Sequence, residues 1–395
     1  MRAFFFVAIS SILSIFCVQG PSAVAQTNFL WIADMEEGTL ADWYYPEASE
    51  IGDCGGGIFS SGKYSYFASI MEGRGTHSLA ATIWTPSMIP NETSGVRAFR
   101  WKEPRENRQL YFSAWFLLPD PTKLTADPDF GQFWDLFQFK STPDGETGDS
   151  SDPIWFFGPS YGNDKVLRVS ATWSSTTEAG PNASHSVGRK FFHQTIKSVP
   201  FGKWVHFEVF LKQSNAFDGH VTFWQDGVKL FDFNNVKTSY FNSAYNAWKC
   251  ENSWSVNNYS DGISPNPYTL YIDDAAISTT RTAGVPTPPC NLISTSVSSA
   301  QINLAWTSSL YAATGYKVER RKGAGDWCEI AKLPSIAITY SSAGLNEDTS
   351  YSYRVRAFNE ITNSAFSNTT TAETQREDSK NGRGNSKNSK NRFKR

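Results

Sequence analysis

Apolar and polar positions alternate with a period of two along much of the chain, in runs rich in aromatic and β-branched residues. Residues 109–118 (QLYFSAWFLL), 204–212 (WVHFEVFLK) and 219–233 (GHVTFWQDGVKLFDF) carry this pattern between turn-forming residues, so each predicts strands. In the last run Asp226-Gly227 separates two alternating halves. That is a hairpin signal, because such a turn needs residues tolerant of positive φ. Residues 204–212 divide into two faces. Val205, Phe207, Val209 and Leu211 make an apolar one suited to a core, whereas Trp204, His206, Glu208, Phe210 and Lys212 make a polar, aromatic one. His206 reads there as a structural residue hydrogen-bonded in the sheet. No stretch of about a dozen residues has the 3.6-residue period of an amphipathic helix. Punctuated strands without helices predict an all-β chain of jelly-roll or sandwich type.

The two ends and one internal stretch break this pattern. Arg2 precedes an apolar run, residues 3–18, and Ala23-Val24-Ala25 is a small-x-small cleavage signal. Residues 1–25 therefore read as a secretory signal peptide, which predicts an extracellular or periplasmic protein with no transmembrane segment. Residues 279–289 (TTRTAGVPTPP) are small and proline-rich, which suits a semi-extended linker. The domain plan is thus a first module over 27–281, a linker at 282–289, a second module over 290–375 and a tail over 376–395. The tail holds eight Lys or Arg against two acids among Asn, Ser and Gly, so it predicts a disordered, basic end able to touch anionic polymer or a cell surface.

Composition sharpens the division. Twelve of the 14 Trp and all five His fall between residues 26 and 281, which points to the first module for any chemistry. The formal charge of −2 gives no reason to expect a nucleic-acid partner. Beyond Cys17 four cysteines remain, Cys54, Cys250, Cys290 and Cys328. In an oxidising compartment they allow three connectivities, and pairing within modules gives Cys54–Cys250 and Cys290–Cys328.

The second module contains Trp306 in INLAW, GYKVER at 315–320 and GLNEDTSYSYRVRA at 344–357. It resembles a fibronectin type III domain, which implies an Ig-like sandwich with Leu345 and Tyr351 at its corner. The first module opens with ADMEEGTLADW (33–43) and closes with LYIDDAAI (270–277). It resembles a concanavalin-A-like jelly roll. Its middle, YFSAWFLLP, FWDLFQFK (133–140) and GKWVHFEVFLK, is similar to heparin-lyase-I-like polysaccharide lyases. With the export read from residues 1–25, that resemblance implies a protein acting on an anionic, uronic-acid-containing polysaccharide by β-elimination, with a non-catalytic glycan-binding or adhesion protein as the alternative.

Elimination needs groups that neutralise a uronic acid carboxylate and a base for the C5 proton. Set beside the lyase motifs, Arg100 falls in the arginine strand, Gln138 in the Gln-x-His strand and Tyr259 in the last strand. Lys140 stands where those lyases carry histidine. Gln138, Lys140, Tyr259 and Arg100 are the catalytic candidates, with Trp134, Trp254, Asn257 and Asn258 as substrate-binding ones. No cofactor is required. Asp34, Glu36 and Asp274 could hold a structural calcium if the first and last strands are neighbours. Paired carboxylates of the hydrolase kind are absent from the pattern.

Overall fold

The computed structural model describes residues 29–44, 56–61, 65–70, 74, 77–83, 94–101, 109–121, 123–124, 134–141, 152–161, 164–173, 190–239, 252–260, 263–264, 267–309, 311–359 and 361–377. The expected signal peptide, Cys54, Cys250 and residues 378–395 lie outside them. The first module has strands β1 (Phe29–Ala33), β2 (Gly56–Ser61), β3 (Tyr66–Ile70), β4 (Ser78–Ile83), β5 (Ser94–Trp101), β6 (Gln109–Leu117), β7 (Lys123–Leu124), β8 (Trp134–Ser141), β9 (Asp152–Tyr161), β10 (Leu167–Trp173), β11 (Lys190–Phe192), β12 (Trp204–Lys212), β13 (Gly219–Gln225), β14 (Val228–Val236), β15 (Asn252–Ser260), β16 (Ile263–Ser264) and β17 (Tyr268–Ser278). The second has β18 (Cys290–Ser296), β19 (Gln301–Thr307), β20 (Gly315–Lys322), β21 (Cys328–Pro334), β22 (Thr339–Ala343), β23 (Ser350–Phe358), β24 (Asn363–Phe366) and β25 (Thr370–Glu373). No described helix is long and apolar enough to cross a membrane.

Two antiparallel sheets face each other in the first module. The eight-stranded one runs β14-β13-β12-β6-β17-β4-β3, with β1 also paired to β17. The seven-stranded one runs β11-β10-β9-β8-β15-β5-β2. Alternation decides what fills the space between them. Val205, Phe207, Val209 and Leu211 of β12 and Phe112 and Phe116 of β6 meet Phe137 and Phe139 of β8 and Trp254 and Val256 of β15. Each such side chain contributes about 1.5–3 kcal/mol by leaving water. Asp226 (φ 46°) and Gly227 (φ 77°) form the two-residue turn between β13 and β14, as their sequence suggests.

The second module is a smaller sandwich. Sheet β18-β19-β22 packs on β21-β20-β23-β24, where β25 also pairs with β23. Leu292, Ile302, Leu304, Trp306, Tyr316, Val318, Tyr353 and Val355 form its core. Tyr351 accepts a hydrogen bond from the Asn346 amide (3.1 Å), which fixes the corner near Leu345. The expected Cys290–Cys328 bridge does not form. Cys328 is free and exposed at the start of the edge strand β21, whereas Cys290 sits buried on β18 of the other sheet.

The polar face of β12 is buried, and the second module buries it. Tyr311, which precedes β20, is 1% exposed and places its hydroxyl 3.0 Å from both His206 Nε2 and Ser113 Oγ. Trp115, Ala276 and Ala312 close around it. Beside it, the fully buried Glu208 carboxylate accepts hydrogen bonds from the Thr282 amide (2.6 Å) and hydroxyl (2.8 Å), the Ala283 amide (3.2 Å) and Arg281 Nε (3.0 Å). Asn359 Nδ2 donates to the carbonyls of Gly284 (2.7 Å) and Ala312 (3.0 Å). The linker is therefore pinned between the two modules.

Candidate functional site

The outer face of the seven-stranded sheet carries the polar residues that the core rejects. On β15, Trp254 and Val256 point inward, so Ser255, Asn257 and Tyr259 point outward. On β5, Val96 and Ala98 point inward and Arg97 outward. Asn257 pairs directly with Arg97, and Tyr259 with Gly95 on one side and Asp135 on the other. Gln138 pairs with Ser255. Three adjacent strands thus gather Arg97, Asp135, Gln138, Asn257 and Tyr259 into one patch.

Its geometry has three constraints. The Arg97 guanidinium lies 4.2 Å from the centre of the Tyr259 ring. A Cβ on Gly95 would overlap Tyr259 Cδ2, so only glycine lets the ring lie across β5 there. Gln138 Nε2 donates to Asp135 Oδ2 at 3.2 Å. Polar capacity is left over after these contacts. Asn257 is 0% exposed, yet neither Nδ2 nor Oδ1 has a hydrogen-bond partner among the described residues. Gln138 Oε1 and Arg97 Nε are also without one. Buried amides are rarely left unpaired, and each such group costs about 1–3 kcal/mol. A polar ligand on this face would satisfy them.

The sequence candidates divide between the two faces. Gln138, Asn257 and Tyr259 come together on the outer one. Lys140 is half-buried two residues beyond Gln138, opposite Ser253. Asn258 does not join them, since it is adjacent to Tyr259 and its side chain points the other way. Its Nδ2 donates to the carbonyls of Ala81 and Tyr268 on the opposite sheet (2.8 and 3.2 Å), and its Oδ1 accepts from Trp134 Nε1 (3.1 Å). Trp134 and Trp254 belong to the core between the two sheets, so neither ring faces the outer side where the patch lies. Arg100 is also inward. It lies over the Trp31 ring and donates to the Asp42 carbonyl (3.3 Å). Arg97, Asp135 and Gly95 belong to this candidate patch and are absent from the candidates drawn from the sequence. The signal was in the alternation of SGVRAFRW, where Val96 and Ala98 mark the core face and leave Arg97 on the other.

The three carboxylates suggested for calcium border a different space, a cavity of about 260 Å³ between the modules that Tyr311 and Tyr316 also line. They do not make a metal cluster. Among the described residues no group of three or more His, Cys, Asp or Glu is placed to hold an ion. The Arg74 guanidinium occupies Asp274 Oδ2 at 3.0 Å, and Asp34 accepts from the Glu36 amide at 3.2 Å. Burial, followed by the nearby charges of Asp274, Asp42 and Glu36, pushes the Asp34 carboxyl up to about 6. The sign follows from linkage. A folded-state pKa above the unfolded one gives stability that is complete below about 3.8 and is lost as pH rises through about 6. Asp34→Asn should therefore raise stability at pH 7 by about 1–2 kcal/mol, allowing for partial exposure, with no gain below pH of about 4. Urea denaturation at the two pH values reads this directly, and an equal effect at both would show that the charge is not the cause.

A family model described as polysaccharide lyase matches residues 35–276, and one described as fibronectin type III domain matches residues 286–373. No curated protein matches the chain. Among solved structures, an endo-β-1,4-glucuronan lyase from the fungus Trichoderma reesei is 16% identical, covering 64% of this chain and 96% of that one with a TM-score of 0.46. An Fn3-like protein from Clostridium thermocellum is 24% identical over 24% of this chain and 97% of its own, with a TM-score of 0.21. The FN5 domain of Drosophila Lar is 20% identical over 23% of this chain and 97% of its own, again at 0.21.

Proposed function

The chain belongs to the polysaccharide lyase family, and from that premise we propose that it cleaves a uronic-acid-containing polysaccharide by β-elimination on the outer face of the seven-stranded sheet. The observation that carries this reading is the outward-facing set of Arg97, Asn257 and Tyr259 on adjacent strands, in which Arg97 and Tyr259 are partly exposed and the Asn257 amide between them has no partner among the described residues. Asn257 Nδ2 and the Arg97 guanidinium hydrogen-bond the substrate carboxylate, which spreads the charge that builds when the C5 proton leaves. Tyr259 acts as the base and takes that proton on Oη. The electron pair forms the C4–C5 double bond as the C4–O bond breaks, and the tyrosine returns its proton to the departing oxygen. Arg97 lies over the Tyr259 ring and keeps positive charge next to the group that cycles between the two forms. Gln138, tied to Asp135, lies buried beneath these groups and supports the patch from below.

A second reading, glycan binding without elimination, draws on Lys140 standing where the lyase motif has histidine. Export is part of the same proposal, supported by the apolar run and cleavage signal of residues 3–25. A panel of polyglucuronate, alginate and pectate, with dextran as neutral control, separates the readings through ultraviolet absorbance of the unsaturated product. One or more of the acidic polymers should yield that absorbance, and dextran none. Polymer binding with no unsaturated product from any member would leave only the binding reading.

A further inference from the structure

The outer face of the sheet formed by β20, β21, β23 and β24 carries cations laid on aromatic rings. Lys332 on β21, Lys317 on β20 and Arg356 on β23 are direct partners across three adjacent strands. Like charges placed directly opposite destabilise a sheet, and neighbouring strands lie only about 4.8 Å apart. The next row differs. There Glu319 faces Arg354, taking hydrogen bonds from its Nε (2.8 Å) and Nη2 (2.6 Å), with Glu329 on its other side. Glu319 also reaches Arg356 at 3.3 Å. Among the described residues Lys317 and Lys332 have no carboxylate partner.

Both lysines rest instead on Phe358, with Nζ 5.5 and 4.4 Å from the ring centre. Arg354 lies on Phe366 (3.7 Å) and on Trp327 (4.3 Å), Arg356 on Phe366 (4.7 Å) and Arg321 on Trp327 (4.9 Å). Rings beneath the cationic heads order them before any ligand arrives, which lowers the entropy cost of binding. Five cations against two carboxylates, with a row of three cations in which only Arg356 reaches a carboxylate, is a surface complementary to a chain of regularly repeated anions.

We propose that this face of the fibronectin type III module is a second binding site, which holds an acidic polysaccharide through its carboxylates while the first module acts on the same polymer. It rests on the polysaccharide reading above for the class of ligand and on no step of the elimination. Nothing at the patch described earlier is needed for it.

The test uses the full chain in native gels containing polyglucuronate or pectate, with dextran and duplex DNA as comparisons. The wild type should be retarded by an acidic polysaccharide, weakly by DNA and not by dextran. Lys317→Gln/Lys332→Gln should raise the Kd for the acidic polymer about tenfold and flatten its salt dependence. Product absorbance from short oligosaccharides should stay at the wild-type rate. An unchanged Kd in the double variant, no retardation of the wild type, or equal retardation by DNA would each overturn the proposal. If binding falls as described but no polymer yields unsaturated product, the elimination reading fails and the binding site stands.

Discussion

Tyr259→Phe should lower the rate of unsaturated-product formation about 10²–10⁴-fold, the usual worth of a positioned proton-transfer group. The Kd for polymer should change less than about threefold, because the ring and its contact with Arg97 survive the loss of one oxygen. Gly95→Ala gives an independent handle on the same atom. A methyl there overlaps the Tyr259 ring and pushes it off β5, and a displacement of about 1 Å in such a site costs about 10²-fold. Arg97→Ala should act differently, raising KM as well as lowering kcat, since it would contact the substrate carboxylate in both ground and transition states. Stopped assays on the polymer that gives product, with binding measured by calorimetry on the Phe variant, decide the matter. A Phe variant with a tenth or more of wild-type activity removes Tyr259 as the base.

The all-β class was legible because period-two alternation is a local property, written in each strand without reference to its neighbours. The hairpin at Asp226-Gly227 was legible for the same reason. The site was only half legible, and one rule divides the halves. Adjacent strand residues face opposite ways, so Asn258 and Tyr259 could not serve one groove, and Trp254 and Val256 already showed which of the pair belonged to the core. Arg100 obeys the same rule, sharing its face with Val96 and Ala98. The other gap is of a different kind. Glu208 and His206 lie on the polar face of β12, and nothing local says what covers them. Their partners, Thr282 and Tyr311, are 74 and 105 residues away in sequence. Packing between modules is a long-range fact, and alternation carries no information about it.

That junction gives the second large expected effect. Tyr311→Ala should destabilise the protein by about 3–5 kcal/mol, the range for emptying a buried aromatic site. Calorimetry should then resolve two transitions where the wild type shows one, because the ring sits in the apolar cluster that residues of both modules share. Tyr311→Phe keeps the volume and removes the hydroxyl. It leaves His206 Nε2 unpaired beside Nδ1, which has no partner among the described residues, and should cost about 1–3 kcal/mol. The same pocket predicts a pH response. Burial above all, then the charges of Arg74 and Arg281, holds the His206 ring down to about 3. Tyr311, itself bonded to Ser113, faces it as a neutral hydroxyl, and Glu208 lies two residues along the strand, engaged by Arg281. Above pH of about 6.5 the ring is neutral in both states and contributes nothing to the slope. As pH falls below that value the unfolded chain binds a proton that the native state refuses, so stability declines steadily down to about pH 3. The loss is at most about 5 kcal/mol. His206→Gln should remove this part of the acid sensitivity while lowering stability at pH 7. An acid limb identical in wild type and His206→Gln would mean that the ring is already protonated in the fold, and that the junction is held by charge where the geometry shows a neutral ring on a tyrosine hydroxyl.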